Sequence, residues 1–228
     1  NTAGALEADL KTVEIDLVLF TDGRADIFYS LEWRASGGEM HGFYFQNMAA
    51  LPIFNENYCY ADLPQKERVP LEIKELGYKY YDIILAGGRG FSGTAYYILN
   101  YGADLAAEGL VGNTVSEEFG ELVYFDWAPV QWDEFLLHRT VRVVLPISIS
   151  EGADIQEKLT EINFRTEKYV NQQNLIDYYP MEGEGGQSYL TVQFHQDDVP
   201  ALGTQRLQFY ISREFFDITT AVIEQESG

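Results

Sequence analysis

Four carboxylates, Glu121, Asp126, Asp133 and Glu134, fall within residues 121–134, which also hold Trp127 and Trp132, two of the three tryptophans. Two acids about 5–10 Å apart beside aromatic platforms are what glycoside hydrolysis requires. Sequence does not supply that distance, and in a chain with 36 acidic residues a nearby pair arises by chance. If Tyr124, Trp127 and Trp132 lie at the surface, they form a contact patch for a sugar or a peptide. The alternative is that both indoles pack against an opposite sheet.

Other chemistries have weaker signatures. The acid pairs Glu117–Glu118 and Asp197–Asp198 and the run Glu182–Glu184 could bind calcium, with Asp197 and Asp198 as the ligands of choice, although no EF-hand loop is present. Calcium is the single cofactor candidate, and a solvated acidic surface is the competing reading. His41, His138 and His195 show no HxH or HExxH spacing, which argues against a transition-metal site. No GxSxG elbow exists for a serine hydrolase. Gly88, Gly90 and Gly93 echo a phosphate-binding loop, but YYILNY follows, and such a loop needs a helix there. Cys59, between Tyr58 and Tyr60, reads as a small apolar filler with no disulfide partner and no nearby histidine.

The elements that must position these residues are strands. Val13–Phe20 and Arg24–Arg34 flank the turn TDGR, with Ala25, Ile27, Tyr29, Leu31 and Trp33 on one face, so a hairpin is expected. SGGEMHG at 36–42 reads as a loop and FYFQN at 43–47 as a short strand. Residues 49–70, with three prolines, read as an irregular excursion. Val69–Leu76 with Tyr78–Leu85 predicts a second hairpin. Ala95–Tyr101, Glu121–Trp127 and Thr140–Leu145 complete a first set, which Pro146 ends. A short helix or loop at 151–160 precedes Ile162–Thr166, Leu175–Tyr179, Tyr189–His195 and Arg206–Ile211, with a hairpin turn at 181–188. Turn signals every 8–12 residues or so predict an all-β, antiparallel β-sandwich, immunoglobulin-like or jelly-roll-like, at 10–148, with a smaller C-terminal β module at 149–222. One continuous two-sheet body is the alternative.

Composition narrows the partners. Acids outnumber bases 36 to 15, a formal charge of −21. Nucleic acid and anionic membrane surfaces both need clustered Lys and Arg, so neither fits. Sixteen Tyr and fourteen Phe suit pleated, half-buried surfaces. No run of about eighteen apolar residues is present. The chain opens on Asn1, not Met, which reads as a processed or cut chain whose leader and anchor would belong to a longer precursor.

The order VEIDLVLFTDGRADIFYSLEW, HGFYFQNMAALP, GTAYYILNY, VYFDWAPVQWDEFL, TVRVVLP resembles the N-terminal ectodomain of prokaryotic membrane proteins in the domain of unknown function 2207 family. The resemblance covers about residues 12–146. It departs at 42–55, where the family's basic Ile-Pro element is missing, and it leaves the chain after 150 unaccounted for. It implies a β-sandwich held outside the cytoplasm by a transmembrane helix absent from this chain, and no known catalytic residues.

The expectation is therefore a non-catalytic extracytoplasmic sandwich, at the cell surface or in the periplasm, that binds a protein or glycan partner or contributes to envelope structure. A carbohydrate-binding module or glycosidase is the second reading. A structural subunit pairing through sheet edges is the third.

Overall fold

A computed structural model describes residues 5–219 and shows an all-β sandwich. The strands are β1 (Glu7–Leu19), β2 (Arg24–Met40), β3 (Gly42–Gln46), β4 (Ile53–Phe54), β5 (Tyr60–Asp62), β6 (Arg68–Gly77), β7 (Tyr80–Leu85), β8 (Phe91–Asp104), β9 (Val111–Ser116), β10 (Gly120–Trp127), β11 (Leu136–Ile149), β12 (Arg165–Thr166), β13 (Leu175–Glu182), β14 (Ser188–Val199) and β15 (Leu207–Ser212). Two short helices, α1 (Ile155–Glu161) and α2 (Lys168–Gln173), lie between β11 and β13. The large sheet runs β13-β14-β11-β1-β2-β8-β5-β6-β7-β3, with β4 on β8; the small sheet runs β12-β15-β10-β9. Every pairing is antiparallel except β1 with β11.

Aromatic contacts show how the layers face each other. The large sheet folds over itself beyond β8. Phe43 and Phe45 of β3 meet Trp33 and Tyr29 of β2 at 5.5 and 5.2 Å, and Tyr97 and Tyr101 of β8 at 5.2 and 6.4 Å. The small sheet covers the other end, where Phe209 of β15 stacks on Phe194 of β14 at 6.2 Å and on Phe125 of β10 at 4.5 Å. The loop between β10 and β11 inserts Trp132, which lies 5.9 Å from both Phe43 and Phe45 and 6.2 Å from Trp33.

Period-two patterning explains the long strands. On β1, Val13, Ile15, Leu17 and Leu19 are buried while Glu14, Asp16 and Val18 face outward; on β2 the expected face Ala25, Ile27, Tyr29, Leu31 and Trp33 is the buried one. Gly23 supplies the positive φ of +82° at the expected turn. Several expectations needed correction. The loop expected at 36–42 is mostly strand, because β2 continues to Met40 with an irregularity against β8. Pro146 does not end β11: the β11/β14 register shifts between Val144 and Ser148, and a bulge there accommodates a residue with no N–H to give. Strand β9 and helix α2 had no clear signal in the sequence.

The boundary expected at 148–149 falls inside β11, and the segment beyond it adds β13 and β14 to the large sheet and β12 and β15 to the small one. Residues 220–222 of the expected second module, and the polar tail, lie outside the described residues. No helix among the described residues is long and apolar enough to cross a membrane.

The aromatic core has a pH signature. Burial pushes the Tyr29 phenol up to about 12, and holds Tyr97 and Tyr101 well above the ordinary value. Raised pKa values in the fold mean that the neutral phenols stabilise it fully below pH ~10. That contribution, about 2–3 kcal/mol for Tyr29 alone, is lost as pH rises from ~10 toward 12. A spectrophotometric titration should find these tyrosines ionising only together with loss of far-UV structure; tyrosinate absorbance from all sixteen Tyr in the intact fold would contradict the burial.

Candidate functional site

The outer face of the large sheet gathers polar groups that are far apart in sequence. Strand alternation sends Glu14 and Asp16 outward from β1, His138, Thr140 and Arg142 from β11, and His195 from β14. The registers Glu14↔Thr140, Asp16↔Arg142 and Thr140↔His195 then set them side by side. Glu14 is the hub. Its Oε1 lies 2.7 Å from His138 Nε2 and accepts from the Thr140 hydroxyl at 3.2 Å, while its Oε2 accepts from Arg142 Nη1 at 2.8 Å. Arg142 also reaches Asp16 with two nitrogens. Burial alone would lower the Arg142 pKa, but the Asp16 and Glu14 carboxylates outweigh it and hold it above the ordinary value. His195 Nδ1 lies 2.8 Å from the Thr140 hydroxyl and its Nε2 lies 3.0 Å from Asp197 Oδ1. The two imidazoles sit 5.5 Å apart.

Thr140, His195 and Asp197 thus form a hydroxyl–imidazole–carboxylate chain, the pattern that activates nucleophiles. Here the Thr140 hydroxyl lies between Glu14 Oε1 and His195 Nδ1, and the residue is buried, so no attacking oxygen is presented to solvent. The cluster was invisible to sequence reasoning. The i, i+2 spacing of Glu14/Asp16 and of His138/Thr140/Arg142 announces two shared faces, but nothing in the chain announces that β1 and β11 are neighbours.

The predicted contact aromatics fare differently. Trp127 and Trp132 are 2% and 6% exposed, so both belong to the core and neither offers a platform; this corrects the surface reading. The physical reason is the second layer, which encloses the inner face of β10 and the loop that follows it. Tyr124 is half-buried. Its ring lies over Gly112 of β9, where an added Cβ would sit 2.9 Å from the ring carbons, and its hydroxyl donates to Gly109 O at 3.2 Å. It fills the gap a glycine leaves in a strand. With all three tryptophans buried, acrylamide should quench the emission weakly, and glycans should leave the spectrum unchanged. Strong quenching would restore the platform.

Two carboxylates of that segment are held by arginines. Asp126 is held by two nitrogens of Arg206, and Glu121 by Arg213 at 3.3 Å. Burial, and then Asp133, raise the Glu134 pKa. Asp197 faces His195, and Asp198 stands at a positive φ of 49°. Among the described residues, no group of three or more His, Cys, Asp or Glu side chains is placed to share a metal ion. Cys59 is buried, its thiol pKa pushed up by burial, and its Sγ lies 3.5 Å from Asn100 O. Gly88 sits in a tight turn and is followed by β8, not by a helix.

The fold defines a class, a two-layer β-sandwich in which one sheet curls over its own face. No family model matches the sequence, and no curated protein matches it. Among solved structures, the fold is similar to an M1 zinc metallopeptidase from Deinococcus radiodurans at 14% identity and a TM-score of 0.51, covering 91% of this chain and 43% of that one. A mutant of an M1 zinc metallopeptidase from the same organism, bound to a Tyr-ser-ala substrate, matches at 13% identity and a TM-score of 0.50, covering 89% and 42%. The chain spans less than half the length of these structures, and at such identities the likeness is one of fold.

Proposed function

We propose that the chain is a non-catalytic extracytoplasmic module of a membrane-anchored protein, and that it recognises a protein partner through the outer face of its large sheet. The observation that supports this best is the make-up of that face. Its central carboxylates are engaged, Glu14 and Asp16 by Arg142 and Asp197 by His195. On either side of them stand half-exposed apolar and aromatic side chains, Tyr179 on β13 and Phe28, Ile98 and Tyr60 on β2, β8 and β5, with Tyr96 46% exposed. A broad face on which aromatics flank a central polar cluster suits a macromolecular partner better than a small substrate.

The resemblance of residues 12–146 to the ectodomains of the 2207 family supports the location. The fold shared with the zinc metallopeptidases does not argue for their chemistry here, because the chain contains no HExxH.

The test uses intact cells that make the full-length protein. A membrane-impermeant amine reagent should label exposed lysines such as Lys66 and Lys74 before lysis. A photo-crosslinking amino acid in place of Tyr96 should trap one discrete adduct that the same substitution at Lys74 does not. Labelling only after lysis overturns the location, and identical crosslinking at both positions overturns the face.

A further inference from the structure

Arg139 heads the largest fully buried side chains, at 1% exposure on the inner face of β11 with Val141 and Val143. Burial lowers its pKa to about 10, which still leaves it charged at neutral pH. Among the described residues no carboxylate pairs with it, in a chain that has 36 acidic residues. Nη1 donates to Gly203 O at 3.2 Å, Nη2 donates to Gln196 Oε1 at 3.0 Å, and Nε has no partner. A buried charge without a counter-ion is strongly unfavourable, so its presence needs a reason.

Gln205, also 1% exposed, has a related defect. Its amide nitrogen donates to Asn174 Oδ1 at 2.9 Å and to Phe194 O at 3.3 Å, but its Oε1 is unpartnered. These two orphans stand behind one wall. Gly203, Gln196 and Asn174, the groups they bond, all line an open cleft of about 510 Å³ between the end of α2 and the turn after β14. Gln196 spans the wall, since its Nε2 also donates to Gln173 O at 3.2 Å. Gln196 thus stands between the guanidinium and the cleft. Asp197 and Asp198 line the same cleft and disfavour phosphate or any multiply charged anion. A single carboxylate with neutral neighbours suits the amide-rich walls.

We propose that this cleft binds a carboxylate, from a free carboxylic acid or from the C-terminus of a peptide, with Arg139 as its counter-ion. The carboxylate takes the place of Gln196 Oε1 and accepts from the guanidinium fork, the geometry for which arginine is suited. The cleft meets the partner-binding face at His195 and Asp197, which line its rim, but Arg139 stands on the opposite, inner face of β11, so its resonance reports on the cleft alone.

The test follows the Arg139 Nε–H resonance in isotope-labelled wild-type protein, assigned by through-bond correlation to the Arg139 backbone. The probes are acetate and trialanine with a free or an amidated C-terminus, with chloride and phosphate as controls. The resonance should shift saturably with acetate and free trialanine, and not with amidated trialanine or the controls. Tighter binding of trialanine than of acetate assigns the peptide source; equal binding assigns the free acid. Gln196→Ala should tighten binding about two- to tenfold, the equivalent of one hydrogen bond no longer displaced. A protected resonance that neither carboxylate moves, or one that amidated trialanine moves as much as the free form, overturns the proposal without requiring any variant to fold.

Discussion

Trp132→Ala should destabilise the fold by about 3–5 kcal/mol, lowering the thermal midpoint by about 10–15 °C. The indole is 6% exposed and packs against Phe43, Phe45 and Trp33, three rings that belong to both layers of the curled sheet. Removing it opens a cavity where strands β2 and β3 meet, and the rings around it cannot collapse without pulling β3 from its register with β7. The backbone carbonyl of Trp132 also accepts from Leu202 N at 2.7 Å, so a slack loop loosens the turn beyond β14 as well. Trp132→Phe should recover most of the loss. Equilibrium unfolding in denaturant measures both. A variant with unchanged midpoint and lost ligand affinity would instead return Trp132 to the surface role that its sequence neighbourhood suggests.

Gly42→Ala should cost about 3 kcal/mol or more, because the new methyl would sit 2.1 Å from the carbonyl oxygen of Ile83. That oxygen is backbone in the facing strand β7, so it cannot swing away as a side chain would. Gly42 stands opposite Ile84 at the start of β3, next to the Leu85 N–H donated to His41 O at 2.9 Å. The strain therefore falls on the pairing that closes the curl. Gly77→Ala is the matched control: a Cβ there meets nothing within 4 Å, and its effect should stay within about 0.5 kcal/mol. Equal midpoints for the two variants in urea would show that β3 tolerates separation from β7.

The sequence by itself determined the class. Alternation in VEIDLVLF and RADIFYSLEW specifies which side chains face inward, and the Asp-Gly turn between them closes the first hairpin; each is a local property of neighbouring residues. The same alternation hid the ends of strands. Pro146 reads locally as a stop, yet a register shift against β14 lets β11 run on, and only the partner strand decides that.

What the tertiary structure alone decided is partnership. That β1 lies parallel to β11 puts Glu14 beside His138 and Arg142 across more than a hundred residues of chain, and no short-range pattern encodes such a pairing. The burial of Trp127 and Trp132 was likewise undecided in the sequence. An aromatic residue on an alternating strand is equally consistent with either face until a second layer covers one of them. Here the curl of the large sheet and the docking of β15 covered it, because long-range packing, not local propensity, fixes which apolar surface leaves water.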